Sequence, residues 1–243
     1  MELAGRVALV TGAGRRLGAA IAGGLLDRGM DLALHYHASG EGAAELAALA
    51  ARHGRRAEVF AADLGDAAAA RELPRRVAAS FGRLDVLINS AAVMVRAPVA
   101  EITPESWDAT MDLNLRAAFF CAQGALPALK AVHGKIVNLA DIAGFEPWPD
   151  YLVHCVSKAG VVMLTKTLAR SLAPEITVNA VAPGAVLLPE AWDEPTRRHF
   201  AETTPLRRLG APSDVVRAVL YLLEGGDYVT GEILVVDGGR LLR

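Results

Sequence analysis

Thr11-Gly12-Ala13-Gly14-Arg15-Arg16-Leu17-Gly18 stands between a short apolar run, Arg6–Thr11, and a helical pattern over Leu17–Arg28. Glycines at these positions let the backbone turn sharply and approach a pyrophosphate, whose charge the N–H groups of a helix N-terminus stabilise. A tight turn with no ligand would use the same residues. The placement after the first strand of a strand–helix–strand unit favours the phosphate. Outward from this loop, β-branched apolar runs alternate with Ala/Leu-rich amphipathic stretches. Further strands are predicted at Asp31–Tyr36, Ala57–Ala61, Leu84–Asn89, Lys135–Ala140, Ile176–Ala180 and Glu232–Val236. Helices are predicted over Glu41–His53 and Ala67–Phe81, and from a Thr103 cap through about Phe120, with Pro104 at the first helical position. Such alternation implies a parallel sheet covered by helices on both faces. The expectation is therefore one α/β domain over residues 1–243, a doubly wound Rossmann fold with a seven-stranded parallel sheet.

Composition narrows the function. Of 243 residues, 25 are basic and 27 acidic, giving a net charge of −2, which argues against a nucleic-acid partner. An apolar share of 53% supplies a substantial core. No uninterrupted apolar run approaches a bilayer span, and no basic stretch with an apolar signal core opens the sequence. Cys121 and Cys155 are too few for a disulfide framework or a zinc cluster. These features predict no membrane association and a reducing cytoplasm. Leu187–Leu209, broken by Pro189, Pro195 and Pro205, follows a strand end. It reads equally as a flap over a ligand or as a solvated loop with one short helix.

About 20 residues beyond the glycine loop, folds that take NAD usually offer an acid to the adenosine ribose. Here the second strand ends His35-Tyr36-His37-Ala38-Ser39, with no acid. Arg15, His37 and Ser39 could instead surround a 2′-phosphate, which favours NADP(H) over NAD(H). Surface residues with no phosphate role remain the alternative.

The whole chain resembles the short-chain dehydrogenase/reductase family. The resemblance rests on the glycine loop, Asp63-Leu64, Asn89-Ser90-Ala91-Ala92, Asn114, Ser157-Lys158-Ala159-Gly160, Val178-Asn179-Ala180-Val181-Ala182-Pro183-Gly184, and the ending Thr230-Gly231 followed by Val236-Asp237-Gly238-Gly239. It implies cofactor contacts from Gly12, Gly14, Arg15, Arg16, Leu17, Gly18, His37, Ser39, Asp63, Leu64, Asn89, Ala91, Lys158, Pro183 and Gly184. Arg16 stands where most of the family has glycine. Arg15-Arg16-Leu17-Gly18, Asp141 at the usual serine position and Leu188 in place of a threonine are similar to the pteridine reductase branch. Ala38, where that branch has arginine, and Met94, where some members have phenylalanine, depart from it.

The family's reaction is hydride transfer between nicotinamide and a carbonyl, alcohol or imine, assisted by Tyr-x-x-x-Lys. In that pattern tyrosine passes the proton, and lysine holds the ribose and favours ionisation of the tyrosine. The lysine is Lys158, one of only four lysines in the chain, but His154 stands in the tyrosine position, 13 residues after Asp141. Three readings follow. Protonated His154 can serve as the acid, with Asp141 favouring its charge and Lys158 opposing it. Tyr151, three residues earlier, can substitute. Or proton transfer is lost, and the chain is a nucleotide-binding module. A 3-oxoacyl thioester reductase is a further alternative. Asn114, by resemblance, holds a water linking the lysine to solvent. The helix bearing Asn114 and the helix Val156–Leu172 are apolar on more than one face, which together with the resemblance predicts a homotetramer or dimer acting on a small-molecule substrate.

Overall fold

The computed structural model describes residues 1–188 and 193–242. Seven strands form one parallel sheet: β1 (Val7–Val10), β2 (Asp31–Tyr36), β3 (Ala57–Ala61), β4 (Val86–Asn89), β5 (Lys135–Leu139), β6 (Thr177–Pro183) and β7 (Ile233–Val236). Their spatial order is β3-β2-β1-β4-β5-β6-β7. The chain reverses its direction of travel across the sheet between β1 and β4, which opens a crevice at the C-terminal strand ends. The predicted strands are all present; their ends move by a few residues, most at β6, which runs on to Pro183.

Side chains alternate across the strands, so each strand feeds two cores. Val10, Leu34, Ile88, Val137 and Val181 face α1 (Arg16–Leu26), α2 (Glu41–Arg52) and α8 (Pro212–Glu224). Leu9, Leu87, Ile136 and Val178 face α3 (Ala67–Phe81), α5 (Ala117–Ala131) and α6 (Leu152–Leu172). By length and composition the stretch Pro149–Leu172 could cross a membrane. Val153, Val161, Ala169 and Leu172 are nevertheless buried against the protein, which makes α6 a core helix.

The helix expected to end near Phe120 takes another course. Thr103 caps α4 (Pro104–Met111) through a reciprocal box with Ser106. Asp112–Arg116 then forms a π-helical turn, and α5 continues to Ala131. Such single turns insert one residue into a helix and are frequent at functional sites. Within the predicted flap, positions 189–192, including Pro189, lie outside the described residues. Its described part contains α7 (Glu194–Thr203), which has no buried residue. Behind it, Leu206 N–H bonds to the Gly238 carbonyl at 3.1 Å.

Candidate active site

The crevice is built first from β1. Thr11 at its end accepts hydrogen bonds from Ser90 and Ala91 N–H at 2.9 and 3.0 Å, tying the loop after β4 to the glycine loop. Gly12 has φ +67°. A Cβ at Gly18 would lie 2.2 Å from the Gly12 carbonyl oxygen, so only glycine permits this turn. His35, buried at the end of β2, accepts from Gly12 N–H through Nδ1 at 3.1 Å, and its Nε2 lies 3.1 Å from the Ala62 carbonyl. Burial holds its pKa below the usual histidine range, which suits that acceptor role. The α1 N-terminus has neither a side-chain cap nor an acid in its first turn. Its uncapped N–H groups and the close glycine turn fit a dinucleotide pyrophosphate.

Beside this loop, Ser39 O lies 3.5 Å from where a Gly14 Cβ would stand. Arg15 and His37 are exposed, and His37 Nε2 lies 3.9 Å from Asp63 Oδ2. Arg16 is the non-glycine residue of the loop with positive φ, 51°, and its Nη2 donates to Leu187 O at 2.9 Å. Leu17 packs against the core from a half-buried position, and Leu64 is buried in the second core. Asn89 turns inward: its Nδ2 donates to Asn138 Oδ1 at 2.9 Å and to Ala118 O at 3.3 Å. Pro183 ends β6. At Gly184 a Cβ would meet Asp237 Cα at 2.8 Å.

Asp141, His154 and Lys158 converge on the opposite wall. Asp141 Oδ1 accepts from Ala143 N–H at 2.9 Å, which orients the carboxylate. Its Oδ2 lies 3.6 Å from His154 Nε2. The His154 side chain is 4% exposed, and Nε2 has no hydrogen-bond partner among the described residues. Its Nδ1 lies 3.3 Å from Val93 O, and its ring runs nearly parallel to Trp148, with centroids 6.4 Å apart. Lys158 Nζ donates to Leu139 O at 2.7 Å. Burial pushes its pKa down to about 8, partly opposed by the Asp141 charge.

The π-helical turn delivers Asn114 to the same wall. Its Oδ1 accepts from Val93 N–H at 2.8 Å, while Nδ2 donates to Val93 O at 2.9 Å and to Ser157 Oγ at 3.0 Å. Ser157 Oγ in turn donates to His154 O at 2.7 Å. Both amide hydrogens are thus committed to protein groups. Tyr151 stands on the other side of the Trp148 ring contacts, three residues before His154. It ends a short 3₁₀ turn, Pro149–Tyr151, and packs edge-on against Trp148 at 6.1 Å. Val93, Trp148 and His35 escaped the sequence reading, because their roles lie in contacts between distant segments rather than in any local motif.

A family profile described as enoyl-(acyl carrier protein) reductase matches residues 12–240. A mutant of a Serratia marcescens short-chain dehydrogenase/reductase superposes with a TM-score of 0.91 at 32% identity, covering 99% of both chains. The chain belongs to the short-chain dehydrogenase/reductase family. A 3-oxoacyl-[acyl-carrier-protein] reductase of Staphylococcus aureus is 34% identical over 97% of this chain and 98% of its own. A blue fluorescent protein from a metagenomic library, solved in complex with NADPH, superposes with a TM-score of 0.92 at 31% identity, covering 99% of both chains. The family, and with it an oxidoreductase built on a nicotinamide-binding fold, is therefore fixed.

Proposed function

We propose that the protein is an NADP(H)-dependent reductase of small carbonyl or imine compounds in which His154 replaces tyrosine as the proton donor. The observation that carries this reading is the buried, unpartnered Nε2 of His154, aimed at Asp141 one helical turn before Lys158. A nitrogen so placed is costly unless it finds a hydrogen-bonding partner, and a substrate in the crevice would be that partner. NADPH, when bound, supplies the hydride. Gly12, Gly14, Leu17, Gly18 and the Ala91 segment would hold its pyrophosphate and nicotinamide half, and Lys158 its ribose. Protonated His154 then gives Nε2–H to the substrate oxygen or nitrogen, leaving a neutral imidazole. Only its protonated form is a useful acid near neutrality. Asp141 Oδ2, 3.6 Å from Nε2, is the acceptor that faces that proton.

Within this function the substrate class we favour is that of pteridine reductases, supported by Arg16, Asp141 and Leu188. A 3-oxoacyl thioester is the second reading, supported by the likeness to the Staphylococcus aureus reductase.

The test is NADPH oxidation against pterins, quinones, ketones and a 3-oxoacyl thioester by the parent protein, His154→Ala and His154→Tyr. A general acid contributes about 10²–10⁴ in rate, so alanine should remove that factor while NADPH affinity stays nearly unchanged. Tyrosine restores Tyr-x-x-x-Lys and should retain or raise turnover. Negligible parental turnover with a gain only in His154→Tyr would identify a nucleotide-binding module instead. An alanine variant as active as the parent would move the donor role to Tyr151.

A further inference from the structure

We propose that Val93, Asn114 and Asp141 form a frame that fixes the tautomer of His154 and keeps one mobile proton between its Nε2 and the Asp141 carboxylate. For the catalytic use of that proton the proposal rests on the function above; for its presence it rests on the geometry alone.

The argument begins at Nδ1. A backbone carbonyl can only accept, so the approach of Nδ1 to Val93 O at 3.3 Å requires the proton on Nδ1. In the neutral ring Nε2 is then a bare lone pair. It faces Asp141 Oδ2 at 3.6 Å, a second acceptor, in a buried position with no other partner. Two acceptors facing each other in low dielectric repel, whereas one proton between them turns the contact into a charge-assisted hydrogen bond. The favoured state is therefore a dyad with a single shared proton and no net charge. Giving Nε2–H to a substrate leaves a neutral imidazole beside an ionised carboxylate, and a proton from solvent restores the dyad.

Asn114 makes this orientation rigid. Its side-chain amide grips both the N–H and the C=O of Val93, the same carbonyl that receives Nδ1–H. Through Ser157 Oγ it also reaches the backbone carbonyl of His154. One asparagine thus braces the ring at Nδ1 and the backbone beneath it. Asn114 is a positioning residue here, acting through Val93 and Ser157. Other charged or titratable groups nearby have partners of their own: Glu146 accepts from Trp148 Nε1 at 3.0 Å, and Cys155 Sγ lies 3.9 Å from Trp148 O. Lys158 is bonded to Leu139 O, Asp112 on the π turn pairs with Arg116, and Asp150 at the outer end pairs with Arg96. Tyr151 packs on Trp148.

The test is an NMR titration of the histidine ring nitrogens in the free protein, with His154 assigned by its absence in His154→Ala. It reads the dyad whether or not any substrate is reduced, so its failure is separable from failure of the reductase reading. In the parent the neutral ring should carry its proton on Nδ1 alone. Asp141→Asn should move the Nε2 resonance of His154, because an amide then replaces the carboxylate that shares its proton. Asn114→Ala should mix the two neutral tautomers. A neutral parent ring protonated on Nε2 would overturn the proposal, as would an unmoved Nε2 resonance in Asp141→Asn. A single tautomer surviving in Asn114→Ala would remove Asn114 from the frame.

Discussion

Arg16 holds a left-handed backbone, a conformation that costs a non-glycine residue about 1–2 kcal/mol. Its guanidinium meets the Leu187 carbonyl across the crevice, a charge-assisted bond of the size needed to offset that strain. Arg15 next to it has no such commitment among the described residues: it precedes α1 with its side chain exposed. The proposed NADP(H) preference assigns the 2′-phosphate to Arg15, with Ser39 O beside the neighbouring Gly14 and no acid at the end of β2. A charge-assisted hydrogen bond to phosphate contributes about 1.5–3 kcal/mol. Arg15→Ala should therefore weaken NADPH binding by roughly one to two powers of ten and leave NADH binding nearly unchanged, as read by fluorescence titration. Equal losses for both cofactors would place Arg15 at the pyrophosphate. The His35-Tyr36-His37 run divides where β2 stops, at Tyr36, which leaves His37 beyond the strand. His35 points inward and serves Gly12, while His37 stays at the surface beside Asp63.

At the scale of elements, the strands were legible because buried parallel strands read as uninterrupted apolar runs, and Thr103-Pro104 announced its helix through the cap. The π turn was not. Adding one residue to a helix hardly disturbs apolar periodicity averaged over several turns, yet it resets the face on which Asn114 emerges. The Val93–His154 contact joins residues 61 apart, and no local pattern encodes it. The buried ammonium of α6 was legible as the lysine of a family motif, but its energetic burden was not. Lys158 in the folded protein titrates near 8, against 10.5 for an ordinary lysine. Between these values the unfolded chain holds a proton that the native protein has lost, so native stability should rise with pH across the window. Urea unfolding at several pH values from 8 to about 10 should show this rise in the parent protein and a flatter profile in Lys158→Met. Identical profiles would mean that Lys158 is solvated in the free protein.

For the whole molecule, the outer side of the α3–α5–α6 layer is the unfinished surface. Phe119 on α5 is 37% exposed, and Val156 and Met163 on α6 are 43% and 61% exposed. Val156 and Met163 are two helical turns apart and so share a face, while the opposite face of α6 carries His154, Ser157 and Lys158 into the core. A helix apolar on its inner and outer sides calls for cover on both. A two-fold pairing of this layer with a second copy supplies it with a self-complementary patch. We expect a dimer or tetramer by light scattering at micromolar concentration, and a shift towards monomer in the double variant Phe119→Glu, Met163→Glu with its helical content kept. A monomeric parent would refute this. The same helix links assembly to chemistry. Once the outer face of α6 is exposed to water, the helix loses part of the packing that holds His154 against Val93, and amide exchange in Leu152–Leu172 should quicken in the double variant while exchange in β1 and β4 stays slow. Uniform acceleration across the sheet would instead show that the charges had destabilised the fold as a whole.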